Sequence, residues 1–219
     1  MEEPGDANGT TATQDRTRVV RDQHIGVTAI KQSHVDAAVP ASFRQGTAAS
    51  PSLALWRRVV LRLMRVRVTY GEAAEQIAAG PCIVACNHLS MLDGVIVSLA
   101  SPRPLFFAVN VFHAREHPLT SRLLAWMERR GLGTVVPLDR AFVFGLRRLH
   151  AALDDGHAVC IFPEGKIADA GPLPERPGLA WLKARSGCPV VRVRIEGAEH
   201  SRLFARKGDQ LWPKIRLVL

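Results

Sequence analysis

The sequence is poor in the residues that mark metal sites and redox chemistry. Its four cysteines, Cys82, Cys86, Cys160 and Cys188, form neither a CxxC pair nor a Cys/His cluster. Zinc and dithiol sites are therefore not predicted. Three of the four lie in apolar runs, where a reduced thiol behaves as a small hydrophobic side chain. We expect a reduced, cytosolic-side protein with neither disulfides nor a bound metal.

Other absences narrow the classes of function further. The sequence contains no GxSxG nucleophile elbow, no Walker A loop and no GxGxxG turn, so no nucleophile for a covalent acyl-enzyme is evident. No apolar run reaches the roughly 18 to 20 residues that a membrane-spanning helix needs. The first residues also lack the basic and then apolar order of a signal peptide. Any contact with a membrane is expected to be peripheral.

Positive charge is concentrated in one part of the chain. Residues 1–50 hold five Lys/Arg against six Asp/Glu, whereas residues 51–219 hold 24 against 14. Such a domain favours polyanions, which include lipid headgroups, phosphorylated ligands, an acidic carrier protein and nucleic acid. Nucleic acid is the least favoured of these, because aromatic residues make up only 6% of the chain and no nucleic-acid-binding motif is present.

The same division predicts the domain organisation. Residues 1–50 are rich in Thr, Ala, Asp, Gln and Gly without periodicity, so we expect a flexible extension before a domain at 51–219. That domain opens with a predicted amphipathic helix at 53–65, in which Arg58, Arg62 and Arg65 form a cationic face. The helix either packs on the core with a solvated back or lies on an anionic membrane surface, and the two interpretations are compatible.

Short apolar runs alternate with helical patterns through the rest of the domain. The strand-like runs are 66–70, 82–86, 105–109, 134–137, 158–162, 189–195 and 214–219, and the helical patterns are 91–100, 119–130, 142–155 and 178–186. This alternation predicts an α/β domain with a largely parallel central sheet flanked by helices. His88 and Glu164 each follow a strand, so both are expected in the crevice at the carboxyl ends of the strands.

The turn after the second strand carries the first candidate site. His88 can act as a base near neutral pH, and Asp93 can accept the other ring N–H and orient the imidazole. Asn87 can cap or orient the turn. Ser90 and Asp93 also fit a capping box with Ser90 as N-cap, and the segment alone favours capping over catalysis.

A second turn, at 162–166, reverses that preference. Its sequence FPEGK places Glu164, Gly165 and Lys166 at the end of another strand. Gly165 permits a turn conformation that other residues resist, and Lys166 offers a cation for a phosphate. Arg140, at the end of a further strand, can grip a phosphate with its planar guanidinium. The alternative is an ordinary turn with solvated charges, but two such turns together propose a base, an orienting acid and an anion pocket.

Together these residues resemble the phospholipid/glycerol acyltransferase family, which includes 1-acylglycerol-3-phosphate acyltransferases. Its NHxxxxD motif matches Asn87, His88 and Asp93, and its FPEG block matches residues 162–165. Residues 138–140 and 190–195 resemble two further blocks. Segments 65–69, 161–167 and 193–199 are similar to the acyltransferase half of the bifunctional 2-acylglycerophosphoethanolamine acyltransferase/acyl-carrier-protein synthetases.

The resemblance implies roles for individual residues. His88 would deprotonate the acceptor hydroxyl and Asp93 would orient it, while Glu164, Gly165 and Lys166, assisted by Arg140, would bind the glycerophosphate of the acceptor. Many relatives have Thr-Arg after FPEG, where this chain has Lys166 and Ile167. Phosphate would then meet a point charge rather than a planar fork.

The expected function is transfer of a fatty acyl group to a lysophospholipid at the cytoplasmic face of the cell membrane. The donor is expected to be an acyl-carrier-protein or coenzyme A thioester, which serves as co-substrate, with no other cofactor and no metal. Two alternatives stay open. One is a catalytically silent lipid- or acyl-carrier-binding protein of the same fold, and the other is a nucleic-acid binder suggested only by charge.

Overall fold

The structure, a computed structural model, describes residues 51–110, 118–138, 142–168 and 173–219. A seven-stranded sheet runs through them in the order β1-β7-β6-β2-β5-β3-β4. Its strands are β1 Val66–Thr69, β2 Ile83–Cys86, β3 Leu105–Asn110, β4 Gly133–Leu138, β5 Ala158–Ile161, β6 Val190–Glu196 and β7 Ile215–Val218. Every neighbouring pair is parallel except β6 and β7. The prediction of a largely parallel sheet flanked by helices is confirmed.

Six α-helices lie in the described ranges. They are α1 Pro51–Leu63, α2 Glu72–Ala79, α3 Asp93–Ala100, α4 Pro118–Arg129, α5 Phe142–Asp154 and α6 Pro177–Ser186, and a 3₁₀ turn covers Ala198–His200. Helix α2 was not predicted from the sequence. It buries only Ala74 and Ile77, so its apolar periodicity is weak. The expected extension at 1–50 and Arg140 lie outside the described residues, and the predicted domain boundary stays a prediction.

The centre of the sheet is its most buried part. All four residues of β2 and all four of β5 are buried, as expected for central strands of a parallel sheet that is covered on both faces. Strands β2 to β6 all end at the same edge of the sheet, which we call the carboxyl edge. Because β7 runs antiparallel to β6, and β1 parallel to β7, the starts of β7 and β1 lie at this edge as well.

Helix α1 has two apolar rows, and only one of them packs on the core. Trp56, Val60 and Met64 pack against the core, and the Trp56 ring meets Trp126 of α4 edge to face at 5.8 Å. Leu55, Val59 and Leu63 form the second row and are 48 to 67% exposed. The structure therefore supports the core-packing interpretation of this helix and leaves an uncovered apolar row beside its arginines.

Arg57 attaches helix α1 to the end of helix α3. Arg57 is only 8% exposed, and its guanidinium donates to the carbonyl oxygens of Ser98 at 3.3 Å and Ser101 at 3.2 Å. Burial lowers the pKa of Arg57. A cation that binds the last carbonyls of a helix is favourable there. No helix in the described ranges is long and apolar enough to cross a bilayer.

Candidate active site

Asn87 determines where the chain leaves the sheet after β2. Its side-chain amide donates from Nδ2 to the carbonyl oxygen of Ile195 at 2.8 Å, and its Oδ1 accepts from the Ile195 N–H at 2.8 Å. The amide thereby reproduces the paired hydrogen bonds of a strand residue one position beyond β2. As a result, the turn that follows starts from a point fixed to strand β6.

The carboxylate of Asp93 organises this turn. Its Oδ2 accepts from Nδ1 of His88 at 3.0 Å and from the backbone N–H groups of Leu89 at 2.6 Å and Ser90 at 2.8 Å. Its Oδ1 accepts from the Ser90 hydroxyl at 2.7 Å. Asp93 is completely buried, and these four donors compensate for the loss of hydration.

The expected capping box is only half present. Asp93 does bond back to the N–H of Ser90, but the helix begins at Asp93 and its N-cap is Leu92. Ser90 instead lies two residues before the cap, where its hydroxyl bonds Asp93 and accepts from the Leu92 N–H at 3.2 Å. The predicted helix start at residue 91 and the prediction of Ser90 as N-cap are therefore wrong. The carboxylate is used to close the turn around His88 rather than to cap a longer helix.

His88 is presented by this turn to a large cavity. Its Nδ1 is engaged by Asp93, so the neutral ring carries its proton there and Nε2 is the acceptor. The ring stacks on Phe162 with centroids 4.3 Å apart and planes 23° apart. The side chain keeps 21% of its surface exposed, and it contributes to the wall of the cavity. Phe162 thus covers one face of the imidazole, and Asp93 holds one of its two nitrogens.

The FPEGK turn lies against His88. Gly165 has φ of +66°, and its N–H donates to the carbonyl oxygen of Phe162 at 2.9 Å. A Cβ at this position would lie 2.6 Å from Nε of Arg176. The Arg176 backbone N–H donates to Pro163 at 2.8 Å, and its Nε donates to the carbonyl oxygen of Glu164 at 3.3 Å. Glycine is favoured here by the positive φ of the backbone, and it also leaves room for the Arg176 side chain packed over it.

Arg176 is the site residue that the sequence did not reveal. It stands just before α6, ten residues after Lys166, and no motif marks it. The side chains of Arg176 and Lys166 line the mouth of the cavity together with Arg206 of the β6–β7 connection. Arg176 therefore brings a guanidinium from another element to the FPEGK turn.

Glu164 is half-buried beside the imidazole. Burial raises its pKa, while the charge of His88 and a hydrogen bond from the His88 backbone oppose that rise. Its Oε2 is buried and has no hydrogen-bond partner among the described residues. A buried carboxylate oxygen without a hydrogen bond costs free energy, which agrees with the raised pKa of Glu164.

The cavity has a volume of about 740 Å³, within the range of about 300 to 1,000 Å³ typical of small-molecule sites. Its walls are mostly apolar and include Val95, Phe107, Leu123, Met127 and Leu146. An apolar chain can lie in this cavity with its reactive end at His88. A charged head would then lie near the basic side chains at the mouth.

The neighbouring thiols are poor nucleophiles. Cys86 is completely buried, and burial raises its pKa. Its Sγ lies 3.9 Å from Oδ1 of Asn87. Burial likewise raises the pKa of Cys82 to about 11. A thiolate at either position is disfavoured near neutral pH.

The structure therefore brings most of the predicted site residues into one place. Asn87, His88, Ser90 and Asp93 form one turn, and residues 164–166 form the adjacent one. Arg140 lies outside the described residues, so its proposed phosphate contact stays a prediction.

Comparison with known proteins matches residues 65–196 to the family model described as Acyltransferase. Among solved structures, the chain is similar to the 1-acyl-sn-glycerophosphate (LPA) acyltransferase PlsC from Thermotoga maritima, with a TM-score of 0.52 and 22% sequence identity. The match covers 76% of this chain and 65% of that protein. At this identity the structural match shows the fold, and it spans less than two thirds of the matched protein's length.

Proposed function

The chain belongs to the acyltransferase family, and from that membership we propose that it transfers a fatty acyl group to the free hydroxyl of a lysophospholipid. The acceptor is of the 1-acylglycerol-3-phosphate or lysophosphatidylethanolamine type. The donor is an acyl-carrier-protein or coenzyme A thioester, and no other cofactor takes part. The observation that carries the proposal is the hydrogen bond between Asp93 and His88, with His88 in the wall of an apolar cavity.

In the proposed mechanism, His88 is the general base. Its Nε2 removes the proton from the acceptor hydroxyl, and the oxygen attacks the carbonyl carbon of the thioester. The C–S bond then breaks, and the imidazolium returns the proton to the departing thiolate. The products are an ester and a free thiol. Asp93 keeps the imidazole oriented and stabilises its charged form.

Two basic side chains support recognition of the acceptor. Lys166 and Arg176 line the same mouth as His88, and a guanidinium can hold a phosphate through two parallel hydrogen bonds. We assign the acceptor phosphate to this pair, with Arg140 assisting. We assign Glu164 and Gly165 to acceptor binding as well, because their turn lies beside His88; Oε2 of Glu164 itself is buried and lies outside the cavity lining.

The proposed location is the cytoplasmic face of the cell membrane, with peripheral attachment. Both substrates fit this location, because the acceptor is a membrane lipid and the donor is polyanionic or carried by an acidic protein. The basic excess of residues 51–219 favours both partners.

The proposal is tested by assaying the full chain for ester formation and thiol release. A panel of lysophospholipids is offered with each of the two thioester types. His88→Ala should lower turnover by about 10²- to 10⁴-fold, the usual contribution of general-base catalysis.

His150→Ala is the matched control. His150 also pairs with an aspartate, Asp154, at 3.0 Å, but it lies on α5 and is not part of the cavity wall. Its loss should leave turnover unchanged. Full turnover in the His88 variant would refute the mechanism, and binding of lipid without any transfer would favour the catalytically silent alternative.

A further inference from the structure

Exposed apolar side chains are spread along the carboxyl edge of the sheet, from the β4 end to the β1 end. Within the described ranges this edge carries Leu63, Val143, Phe144, Leu203, Leu211 and Trp212, each between 53 and 67% exposed. Leu63 ends α1 just before β1, and the two residues of α5 follow β4. The other three belong to the β6–β7 connection. Exposed apolar groups along one edge of a domain indicate an interaction surface, and their spread over the whole edge suits a flat partner.

The β6–β7 connection, residues 197–214, links this surface to the site. It begins and ends at the carboxyl edge. The carbonyl oxygen of Phe204 accepts from the N–H of Met91, in the turn between His88 and Asp93, at 2.9 Å. Leu203 and Arg206 line the cavity. One side of the connection is therefore the rim through which a lipid would enter.

Trp212 joins the other end of the connection to helix α1. Its indole N–H donates to the carbonyl oxygen of Leu63 at 2.8 Å, and its own carbonyl accepts from Arg65 at 2.8 Å. The residue as a whole remains 53% exposed. A tryptophan with a satisfied N–H and an exposed apolar face suits the boundary between water and lipid. These contacts hold the end of the connection against the last turn of α1.

The charge of the connection indicates which partner covers it. Arg202, Arg206, Lys207 and Lys214 are all exposed. They outnumber Glu199 and Asp209, both of which lie within 4 Å of His200. Apolar side chains among exposed cations suit a bilayer that contains anionic lipid.

We propose that the carboxyl edge, with the β6–β7 connection at its centre, docks on an anionic lipid bilayer and opens the cavity directly to it. This inference rests on the proposed function only for the identity of the lipid that enters the cavity. It differs from the expectation that α1 lies flat on the membrane. Arg57, near the start of α1, bonds the far end of α3, whereas Leu63 lies at the carboxyl edge. Only the last turn of helix α1 therefore lies at this edge and would meet the lipid, while the start of the helix lies away from it.

The test uses co-sedimentation of the full chain with vesicles. One set contains phosphatidylcholine alone, and the other contains phosphatidylcholine mixed with phosphatidylglycerol. The double variant Phe144→Ser/Leu211→Ser removes two exposed apolar groups that do not line the cavity. Its binding to the mixed vesicles should fall by about 10- to 100-fold. Arg202→Gln and Lys207→Gln should each lower binding to the mixed vesicles by about fivefold and leave binding to neutral vesicles unchanged.

Two matched variants carry exposed apolar groups away from the edge. Leu55→Ser/Val59→Ser changes the exposed row of α1, and Val218→Ser changes an exposed residue at the far end of β7. Both should bind the mixed vesicles as the parent protein does. Thermal unfolding verifies that every variant is folded. Unchanged binding in the Phe144/Leu211 variant, or loss confined to the α1 variant, would overturn the proposed surface.

Turnover separates this proposal from the proposed function. The Phe144/Leu211 variant should act normally on a short-chain lysophosphatidic acid dispersed as monomers and poorly on the same headgroup in vesicles. If the parent protein transfers acyl groups to neither form, but the vesicle binding of the variants changes as predicted, the proposed function is wrong and the docking surface stands. If the variant is impaired equally on both forms, the docking role is wrong.

Discussion

Replacing Asp93 by Asn isolates the charge of the candidate site with little change in shape. The carboxylate accepts four hydrogen bonds, three on Oδ2 and one on Oδ1. An asparagine can place its oxygen where Oδ2 was, keeping the bonds from His88, Leu89 and Ser90. Its amide then faces the Ser90 hydroxyl, which can turn and accept. The geometry is kept and the negative charge is lost.

The two consequences of Asp93→Asn differ greatly in size. Hydrogen bonds to a charged group contribute about 1.5 to 3 kcal/mol against about 1 for neutral pairs, but a neutral amide also avoids the cost of burying a charge. The loss of stability should therefore stay near 1 to 2 kcal/mol. In the proposed mechanism, turnover depends on stabilising the imidazolium of His88. It should fall by about 10²- to 10⁴-fold, or about 3 to 5 kcal/mol.

The assay measures kcat/KM for thiol release with a lysophospholipid acceptor, alongside thermal unfolding. Because Asp93 acts through His88, the Asp93→Asn/His88→Ala double variant should be about as inactive as His88→Ala alone. A folded Asp93→Asn enzyme within threefold of the parent activity would refute the orienting role. Fully additive losses in the double variant would do the same.

Three further perturbations test other parts of the site. Arg176→Gln should raise KM for a phosphate-monoester acceptor by about tenfold with little change in kcat. Arg185→Gln, at the far end of α6 and outside the cavity wall, should change neither, and equal effects of the two variants would refute the assignment. Burial raises the pKa of Glu164 above its ordinary value of 4.5, so its contribution to stability is present below pH 4.5 and is lost as pH rises through the folded-state pKa. The free energy of unfolding of Glu164→Gln, measured with urea, should equal that of the parent protein in acid and exceed it increasingly towards neutral pH. A pH-independent difference would contradict this. Ellman's reagent should modify one thiol per folded chain, that of Cys188, because the other three cysteines are buried; rapid reaction of more than one would contradict the packing.

The sequence predicted the sheet well because its central strands are buried on both faces. Such strands read as continuous apolar runs between polar turns, whereas β6 and β7 alternate between buried and exposed residues. Both patterns are typical of strands, so all seven were found within one residue of their observed bounds. Helix α2 escaped because six of its eight residues are not buried and its periodicity is weak. The start of α3 was misplaced because Asp93 serves the turn before it rather than a longer helix.

The parts of the site that were missed depend on contacts between distant segments. Arg176 meets Gly165 only because α6 starts beside the end of β5, and nothing in the spacing along the chain expresses that. Asn87 was assigned to its own turn, whereas its bonds reach Ile195, 108 positions away. Local patterns identify which residue types are present, but the sheet order determines which of them meet.

The amide of Asn87 also provides a way to observe the site. The backbone N–H of Ile195 is held by a side chain, and its exchange with deuterium therefore reports on the turn rather than on the strand ladder. Whenever the His88 turn lifts away from β6, that single proton becomes exchangeable while its neighbours stay protected. The exchange rate at Ile195 measures how often the site opens, and its slowing by a bound lipid or thioester would measure how far that ligand holds the site closed.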